Sequence, residues 1–258
     1  FYSVTNTNHI IITMEFNNNT IRPAVMLYLK NETEGEEKYG HINTWNVSGV
    51  TYMSYMFSGA NAFNQPLSNW NVSNVTDMHG MFSHTKAFNK PLDNWNVGNV
   101  TNMWHMFGDA KAFNQPLNNW NVSKVINMFG MFCDASSFNQ PLDNWNVSNV
   151  ITMIKMFKYA QSFNQPLSNW NVGKVTNMDD MGYMFDNTTI GEMLKKHNLT
   201  NKEFFESPTN KKVYHELFVW PRKKEYIMFL VNNHYLPFNN HQEEHEYHPL
   251  FDNTDISK

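Results

Sequence analysis

A tryptophan recurs every 25 residues through the middle of this 258-residue chain. The same interval separates methionines, phenylalanines and prolines that keep fixed places around each tryptophan, so the repeat is a set of coupled positions. The six tryptophans are Trp45, Trp70, Trp95, Trp120, Trp145 and Trp170. Because 25 residues are too few to bury an apolar face alone, neighbouring units must stack and share one core.

The spacing within one unit predicts its local structure. Trp70 and Val72 are two residues apart, which is typical of one face of a short strand. Val75, Met78 and Phe82 follow at intervals of three and four residues, which is typical of a short helix. The repeats therefore predict a solenoid of the α/β class with six coils, each a short strand followed by a short helix.

Large apolar residues at the fixed positions are predicted to form the structural core with the tryptophans. They are Met78, Met103, Met128, Met153, Phe82, Phe107, Phe132 and Phe157. A coil in the middle of the array has a repeating neighbour on both sides, so Trp120→Ala should cost about 3–5 kcal/mol. The same change at Trp45 should cost less, because an end coil has only one repeating neighbour.

The periodicity divides the chain into three segments. Residues 1–41 do not repeat and are predicted to form an N-terminal cap, since the open end of a repeat core needs a cover. Residues 42–185 hold the six coils. Residues 186–258 are predicted to form a helical C-terminal cap with a polar tail.

Short elements are predicted in both caps. In the N-terminal cap we expect a strand at Ile10–Met14, a helix at Ile21–Leu29 and a charged, exposed link at Glu32–Lys38. In the C-terminal cap, Thr189 and Thr200 each stand three residues before a glutamate, which is the pattern of a capping box. The apolar spacing there predicts two further helices, at Lys211–Val219 and Arg222–Asn233.

The repeat resembles the BspA-type leucine-rich-repeat proteins. Their units are similar to Phe63-Asn-Gln-Pro-Leu-Ser-Asn-Trp-Asn-Val-Ser-Asn-Val-Thr-Asp-Met78. The segment before the first coil, Glu37-Lys-Tyr-Gly-His-Ile-Asn-Thr-Trp-Asn-Val-Ser48, is similar to the opening segment of members from protists and large DNA viruses. The resemblance implies a right-handed leucine-rich-repeat-like solenoid with a binding or surface role and no catalysis.

Composition excludes several classes of partner. The net charge is -4 and 16% of residues are charged, so no basic field is available to hold nucleic acid. No apolar run approaches the length of about 20 residues that a membrane-spanning helix needs. The tail histidines among glutamates, such as His241 and His245, are interpreted as part of a solvated tail, and no metal or other cofactor is expected. No catalytic constellation stands out from the repeats, so the chain is not expected to be an enzyme.

One asparagine beside each tryptophan forms a second regular row, which we call the Asn row. Its members are Asn46, Asn71, Asn96, Asn121, Asn146 and Asn171. A polar ladder on the concave face could bind an extended ligand, with Asn71, Asn96, Asn121 and Asn146 as its central contacts. Alternatively, the side chains bridge coils and satisfy turn backbone groups. The near-invariance of the row favours the structural interpretation, because a tuned binding surface is expected to vary.

The residue after each recurring methionine differs from repeat to repeat, and we call this set the variable row. Its members are Ser54, His79, Trp104, Phe129, Ile154 and Asp179. Trp104, Phe129 and Ile154 are large and apolar in succession although the repeat does not require it, which indicates a contact surface. The alternative is that they pack under the C-terminal helices or widen the core. Phe129→Asp distinguishes the two, since unfolding indicates core and lost association with an intact fold indicates interface.

Two functional hypotheses follow. The first is a non-enzymatic structural and protein-interaction solenoid that docks into a larger assembly, in a virion or at a cell surface, with other proteins of that assembly as partners. The second is an adhesin that binds host matrix or carbohydrate through the concave Asn and Ser face. The first predicts that a partner covers Trp104, Phe129, Ile154 and the termini, whereas the second predicts a bare concave face and a free, soluble monomer.

Overall fold

The computed structural model of the chain describes residues 14–167, 169–176 and 183–206. The predicted helices at Lys211–Val219 and Arg222–Asn233 and the polar tail lie outside the described residues. So do Asp179 of the variable row and all of the predicted strand at Ile10–Met14 except its last residue.

Regular elements lie on either side of the repeats. At the N-terminal side the order is strand β1 Glu15–Asn17, helix α1 Ile21–Lys30, helix α2 Glu32–Tyr39, a 3₁₀ helix Ile42–Thr44 and strand β2 Asn46–Gly49. At the C-terminal side are helix α3 Thr189–Lys196 and helix α4 Asn201–Glu206. Strands β1 and β2 pair in parallel, which attaches the N-terminal segment to the first repeat.

The predicted helix at Ile21–Leu29 corresponds to α1. The charged residues of Glu32–Lys38 are exposed as predicted, with Glu36 partly so, but the segment is not a link because it forms helix α2. The Asn31 side chain begins α2 by accepting a hydrogen bond from the Glu34 N–H, at 3.3 Å. Gly35 then allows the two helices to approach closely, since a Cβ there would lie 2.7 Å from the Cα of Tyr28. The glutamates of this segment indicated an exposed stretch. Its one buried residue, Gly35, has no side chain and so gave no apolar signal of the packing.

Each repeat is built from turns whose N–H groups alternate between two partners. The N–H groups of Met53 and Tyr55 donate to carbonyls of the next repeat, those of Asp77 and His79, at 2.9 and 2.8 Å. The next N–H along the chain, that of Met56, donates instead to the carbonyl of Met53, three residues back, and that of Phe57 donates to the next repeat again. The same alternation recurs in the following repeats.

The predicted strand forms in the first coil, as β2, and in the later described repeats neither the predicted strand nor the predicted helix forms. The parallel pairing of those repeats falls five residues after Val72 and its equivalents, as single bridges: Tyr52, Asp77, Asn102, Asn127 and Thr152 pair in sequence. No helix forms in residues 50–167, because alternate N–H groups bond to the neighbouring repeat instead of to the carbonyl four residues back. The spacing of three and four residues that suggested a helix is the spacing of successive turns.

The core lies between the turns, and the tryptophans both fill it and bond across it. Trp45 and the other five tryptophans are at most 6% exposed, and the predicted methionines and phenylalanines are fully buried. The indole N–H of Trp120 donates to the carbonyl of Leu92 in the preceding repeat, at 2.9 Å, and the other tryptophans that follow a repeat do the same. Each of these indole N–H groups thus has a hydrogen-bond acceptor although the tryptophan is buried.

Phenylalanine rings stack through the array in two files. Phe82, Phe107, Phe132 and Phe157 lie 5.5 to 5.7 Å apart with almost parallel rings. Each also faces the second file within its own repeat, as Phe107 faces Phe113 at 4.1 Å.

Aromatic residues from outside the array complete both ends of the described core. Trp45 contacts Phe16, Tyr28 and Tyr39, with ring centroids 4.8 to 5.8 Å apart. At the other end, Phe185 contacts Phe204 and Phe205 of α4. Trp45→Ala was expected to cost less because an end coil has only one repeating neighbour. The N-terminal elements take the place of the missing repeat, so that reason for a smaller cost does not hold.

The C-terminal helices begin with side-chain caps. The cap of α3 is Thr188, one residue earlier than predicted, and its hydroxyl accepts a hydrogen bond from the Gly191 N–H at 3.0 Å. Before α4 the predicted capping box forms, since the Thr200 hydroxyl accepts from the Glu203 N–H and the Glu203 carboxylate accepts from the Thr200 N–H.

Candidate interaction surface

The variable row lies along the surface of the stacked repeats as a line of half-buried side chains. The rings of His79 and Trp104 are 6.0 Å apart, and those of Trp104 and Phe129 are 6.3 Å apart. Ile154 continues the line, since its carbonyl accepts a hydrogen bond from Gly130 at 2.8 Å. All four side chains are partly accessible and none belongs to the fully buried core.

The backbone beneath the variable row is held by the bridging residues. The side-chain oxygens of Asp77, Asn102 and Asn127 accept hydrogen bonds from the N–H groups two residues on, at 2.9, 3.2 and 3.0 Å. Those N–H groups belong to the variable row, whose carbonyls in turn accept from the preceding repeat. The backbone of the row is therefore satisfied from His79 to Phe129, and the side chains of these residues remain to make contacts.

The position next to the variable row alternates between large residues and glycine. Its members are Tyr55, Gly80, His105, Gly130 and Lys155, and all five have a positive φ between 47° and 60°. The Tyr55 ring lies over Gly80 and the His105 ring over Gly130, where an added Cβ would come within 2.5 Å of the ring. Two repeats thus form a larger unit, in which the glycine of one makes room for the ring of the other.

His105 connects this alternating position to the variable row. Its ring contacts Trp104 and Phe129, at 4.8 and 5.4 Å between centroids. Burial lowers the pKa of His105 below its usual 6.5, and the charges of His84 and Lys155 act in the same direction against Asp134. The imidazole is therefore held neutral near pH 7.

Basic groups stand at the two ends of the described part of the variable row, Ser54 to Ile154. At the first end, the Arg22 guanidinium of α1 donates to the carbonyl and hydroxyl of Ser54, at 2.6 and 3.2 Å. At the far end, the Lys155 ammonium lies 5.8 Å from the centre of the Phe129 ring. In the described ranges no carboxylate forms an ion pair with Lys155.

The Asn row is exposed and bonds within its own turn. The side-chain oxygens of Asn71, Asn96, Asn121 and Asn146 each accept a hydrogen bond from the N–H two residues on, at 3.1 to 3.2 Å. The row therefore satisfies turn backbone groups, as the structural interpretation expected, while most of each side chain remains at the surface.

The sequence interpretation missed the asparagines outside the Asn row that bridge the repeats. The side chains of Asn74, Asn99 and Asn149 donate to carbonyls of the preceding repeat at 2.8 to 2.9 Å, and another set accepts hydrogen bonds from the following repeat. We call it the Asn ladder: Asn64, Asn89, Asn114 and Asn139 each accept a hydrogen bond from the backbone N–H of the residue 25 positions on, at 2.9 to 3.0 Å. The recurring Phe-Asn-Gln-Pro sequence carried the signal for it. Asn164, the equivalent residue of the next repeat, has a buried side-chain oxygen with no hydrogen-bond partner among the described residues, because no further Phe-Asn-Gln-Pro sequence follows it.

Asp109 and Cys133 interact with residues close to them in the structure. Asp109 accepts from His84 and Lys111, at 3.0 and 2.9 Å, and these contacts hold the pKa of its carboxyl below the usual value although burial opposes them. Burial raises the pKa of the Cys133 thiol to about 12, so it stays protonated.

The described residues contain neither a cluster of metal ligands nor a membrane-spanning helix. Within them, no three His, Cys, Asp or Glu side chains are grouped closely enough to hold a metal ion. No helix in that part of the chain is long and apolar enough to cross a membrane. The tail histidines His241 and His245 lie outside it.

One comparison with known proteins found a match. A family model with the description "Mycoplasma protein of unknown function, DUF285" matches residues 26–140 and again residues 115–210. The two matches overlap, as a repeated sequence allows, and together they extend from α1 past α4. No curated protein and no solved structure matches the chain.

Proposed function

Because this chain belongs to the DUF285 family, a repeat family whose description assigns no function, we propose that it is a non-enzymatic protein-interaction component of a larger assembly. Other proteins of a virion or a cell surface are its partners, and the variable row is the surface that meets them. Nucleic acid is not among the partners, since the net charge is -4.

The finer fold assignment is part of the same proposal. We infer a right-handed solenoid of six coils like that of the BspA-type leucine-rich-repeat proteins. Two observations support it: parallel bridges join residues 25 positions apart from Tyr52 to Thr152, and hydrogen bonds between the same repeats recur in register. A rigid stack of this kind presents one position per repeat in a line, which suits a long contact surface.

The variable row carries the functional proposal. Its half-buried apolar side chains lie outside the core, and the core is complete without them because the Trp, Met and Phe positions fill it in every repeat. A line of aromatic groups that the fold does not need is a feature of contact surfaces. Trp104 stands at its centre, and tryptophan is enriched among residues that dominate binding energies.

Photo-crosslinking tests which surface is used. Benzoylphenylalanine replaces Phe129 in one variant and Asn121 in a matched variant on the Asn row, and both are irradiated within the native assembly. We expect crosslinks to a neighbouring protein from position 129 and none from position 121. A free monomer without crosslinks from position 129 would overturn the proposal.

The adhesin reading keeps one observation in its favour, which is the exposure of the Asn row at regular intervals. Under this second candidate, matrix or carbohydrate contacts Asn71, Asn96, Asn121 and Asn146. Crosslinks from position 121 alone, together with binding to immobilised matrix proteins or glycans that Asn121→Ala weakens, would favour it over the assembly role.

A further inference from the structure

A cavity of about 660 Å³ lies between the N-terminal helices and the first repeat, and we call it the cap cavity. Its wall is formed by residues 28–30 of α1, Glu32 of α2 and residues 58–65 of the first repeat. Pockets that bind ligands have volumes of about 300–1,000 Å³. In the next repeat the corresponding place holds the turn of the first repeat, where the Asn61 carbonyl and the Asn64 side chain accept hydrogen bonds. The cap cavity therefore lies where a preceding repeat would put its own turn.

The N-terminal elements take the place of a preceding repeat for other donors of the first repeat. The Asn18 side chain accepts a hydrogen bond from the Thr51 N–H at 2.9 Å. The Glu32 carboxylate accepts one from the Gln65 side chain at 2.7 Å. In later repeats the equivalent donors bond to the repeat before them. The N-terminal elements thus supply acceptors along the edge of the first repeat.

Two backbone N–H groups at the cap cavity have no such acceptor. In the part of the chain that the structure describes, the N–H groups of Ala62 and Asn64 make no hydrogen bond, and both residues are exposed. Their equivalents two repeats on, Ala112 and Asn114, donate to the preceding repeat at 3.1 and 3.0 Å. The cavity therefore presents a pair of backbone donors whose acceptors are known from the later repeats.

Between these two donors, the Phe63 ring has an open face. It lines the cap cavity and is 7% exposed, whereas the next three rings of its file, Phe88, Phe113 and Phe138, are fully buried. Successive rings of this file stack with 5.9 to 6.1 Å between centroids. An aromatic ring placed in the cavity against Phe63 would extend the file by one member.

Charges beside the cavity favour a neutral ligand. The Tyr28 hydroxyl donates to the Glu32 carboxylate at 2.9 Å and lies 3.3 Å from the Glu36 carboxylate. Burial, together with these two carboxylates, raises the pKa of Tyr28 above its usual value, so the hydroxyl stays protonated. Lys30 brings one positive charge to the wall against the two negative ones. A carboxylate on a ligand would be repelled, whereas a carbonyl or amide oxygen would not.

We propose that the cap cavity binds a turn of a partner protein in which an aromatic residue is followed by asparagine. The template is the turn Lys86-Ala-Phe-Asn89 of this chain, whose first carbonyl and asparagine side chain accept from two N–H groups of the next repeat. A bound turn of this kind offers the same two oxygens to Ala62 and Asn64 and lays its ring on Phe63. The cap cavity shares no residue with the variable row, so the inference does not rest on the proposed role of that row.

A cyclic peptide that holds Lys-Ala-Phe-Asn in a turn tests the inference by calorimetric titration of the full chain. A matched peptide with leucine in place of asparagine keeps the shape and lacks the acceptor, so it should bind about tenfold more weakly. Aspartate at that place should also weaken binding, because of Glu32. With ¹⁵N-labelled alanine and asparagine, the amide protons of Ala62 and Asn64 should shift downfield on binding, and those of Ala112 and Asn114 should not.

A pair of tryptophan variants tests the place of binding. Ala62→Trp fills the cavity and should lower the affinity for the peptide at least tenfold. Ser137→Trp is the matched control, because it is the same exposed position of a repeat whose N–H already bonds to the Lys111 carbonyl, at 3.2 Å. It should bind the peptide as the wild type does.

Three results would overturn the inference: no binding of the asparagine peptide, equal binding of the leucine peptide, or amide shifts that leave Ala62 and Asn64 unchanged. The peptide variants require no change in the protein, so the test stays valid even if Ala62→Trp is destabilised. Crosslinks from position 129 report on the variable row alone, and a failure of one proposal is therefore distinguishable from a failure of the other.

Discussion

The inner and outer positions of each repeat follow different rules. Inside, Trp120, Phe107 and their equivalents recur unchanged. The Phe107 ring stacks between Phe82 and Phe132 of the neighbouring repeats, and the buried Trp120 ring packs against Phe107. Outside, the variable row changes from Ser54 to His79 to Trp104 over three repeats. A stack of identical rings tolerates no change at one level without a change at the next, whereas a side chain at the surface has no such partner.

The difference explains where function can reside in a repeat protein. Interior positions are determined by stacking, so their regularity carries information about the fold and none about the partner. The backbone N–H groups of His79, Trp104 and Phe129 make the same hydrogen bond in each repeat. The side chain at this position can therefore change from repeat to repeat and adapt to a partner.

The largest expected effect is at the interior tryptophans. Trp120→Ala removes a ring that is 2% exposed and an indole N–H that bonds to Leu92, so it should lower the free energy of unfolding by about 3–5 kcal/mol. Trp104→Ala, at the surface, should cost about 1 kcal/mol. Urea denaturation of both variants measures the two losses, and similar values would erase the distinction between inside and outside.

Next in size is the Asn ladder. Asn114→Ala removes an acceptor for the Asn139 N–H, at 2.9 Å, and for the Gln140 side chain, at 3.0 Å. Leaving such donors unpaired should cost about 1–3 kcal/mol. Asn121→Ala on the exposed Asn row is the control and should cost less than about 1 kcal/mol. The opposite order of these two losses in chemical denaturation would show that the Asn row, and not the ladder, joins the repeats.

The alternating position should give a smaller, coupled effect. Gly130→Ala puts a Cβ against the His105 ring at a positive φ, and should cost about 1–2 kcal/mol. Part of this loss should disappear in the His105→Ala background, because the ring is then absent. A double-mutant cycle measures that coupling, and strictly additive losses would mean that the ring and the glycine do not make room for each other.

The smallest expected effect is on pH dependence. The pKa of His105 is lowered in the folded protein, so the unfolded chain binds more protons below about pH 6.5. The contribution of His105 to stability is therefore complete above its unfolded pKa of 6.5 and is lost as the pH falls from there toward the folded pKa. Unfolding free energies between pH 5 and 8 should show a shallower acid loss for His105→Gln than for the wild type. An unchanged slope would show that protonating His105 does not disturb the fold.

The sequence predicted the stacking and the buried rows, because a 25-residue period leaves one way to bury Trp70 and its equivalents. It did not predict the backbone path, since turns that bond alternately to the next repeat produce the same apolar spacing as a helix. It also missed α2, where charged residues concealed the packing of Gly35 against Tyr28.

The candidate surface was only partly predictable. Irregularity at one position identified the variable row, but its half-buried state depends on neighbours such as His105, whose position carries a large side chain only in every second repeat and glycine in the others. The Asn ladder was hidden because asparagine is abundant throughout the repeat, and only the contacts separate the asparagines that join repeats from those that close a turn.

The most direct test compares two phenylalanines three residues apart in one repeat. Phe132 lies in the stacked file of rings, and Phe129 lies in the variable row. We expect Phe132→Ala to lower the free energy of unfolding by about 3–5 kcal/mol and Phe129→Ala by about 1 kcal/mol, measured by urea denaturation. Equal losses would contradict the account, because they would make the variable row part of the core and leave no surface free for a partner.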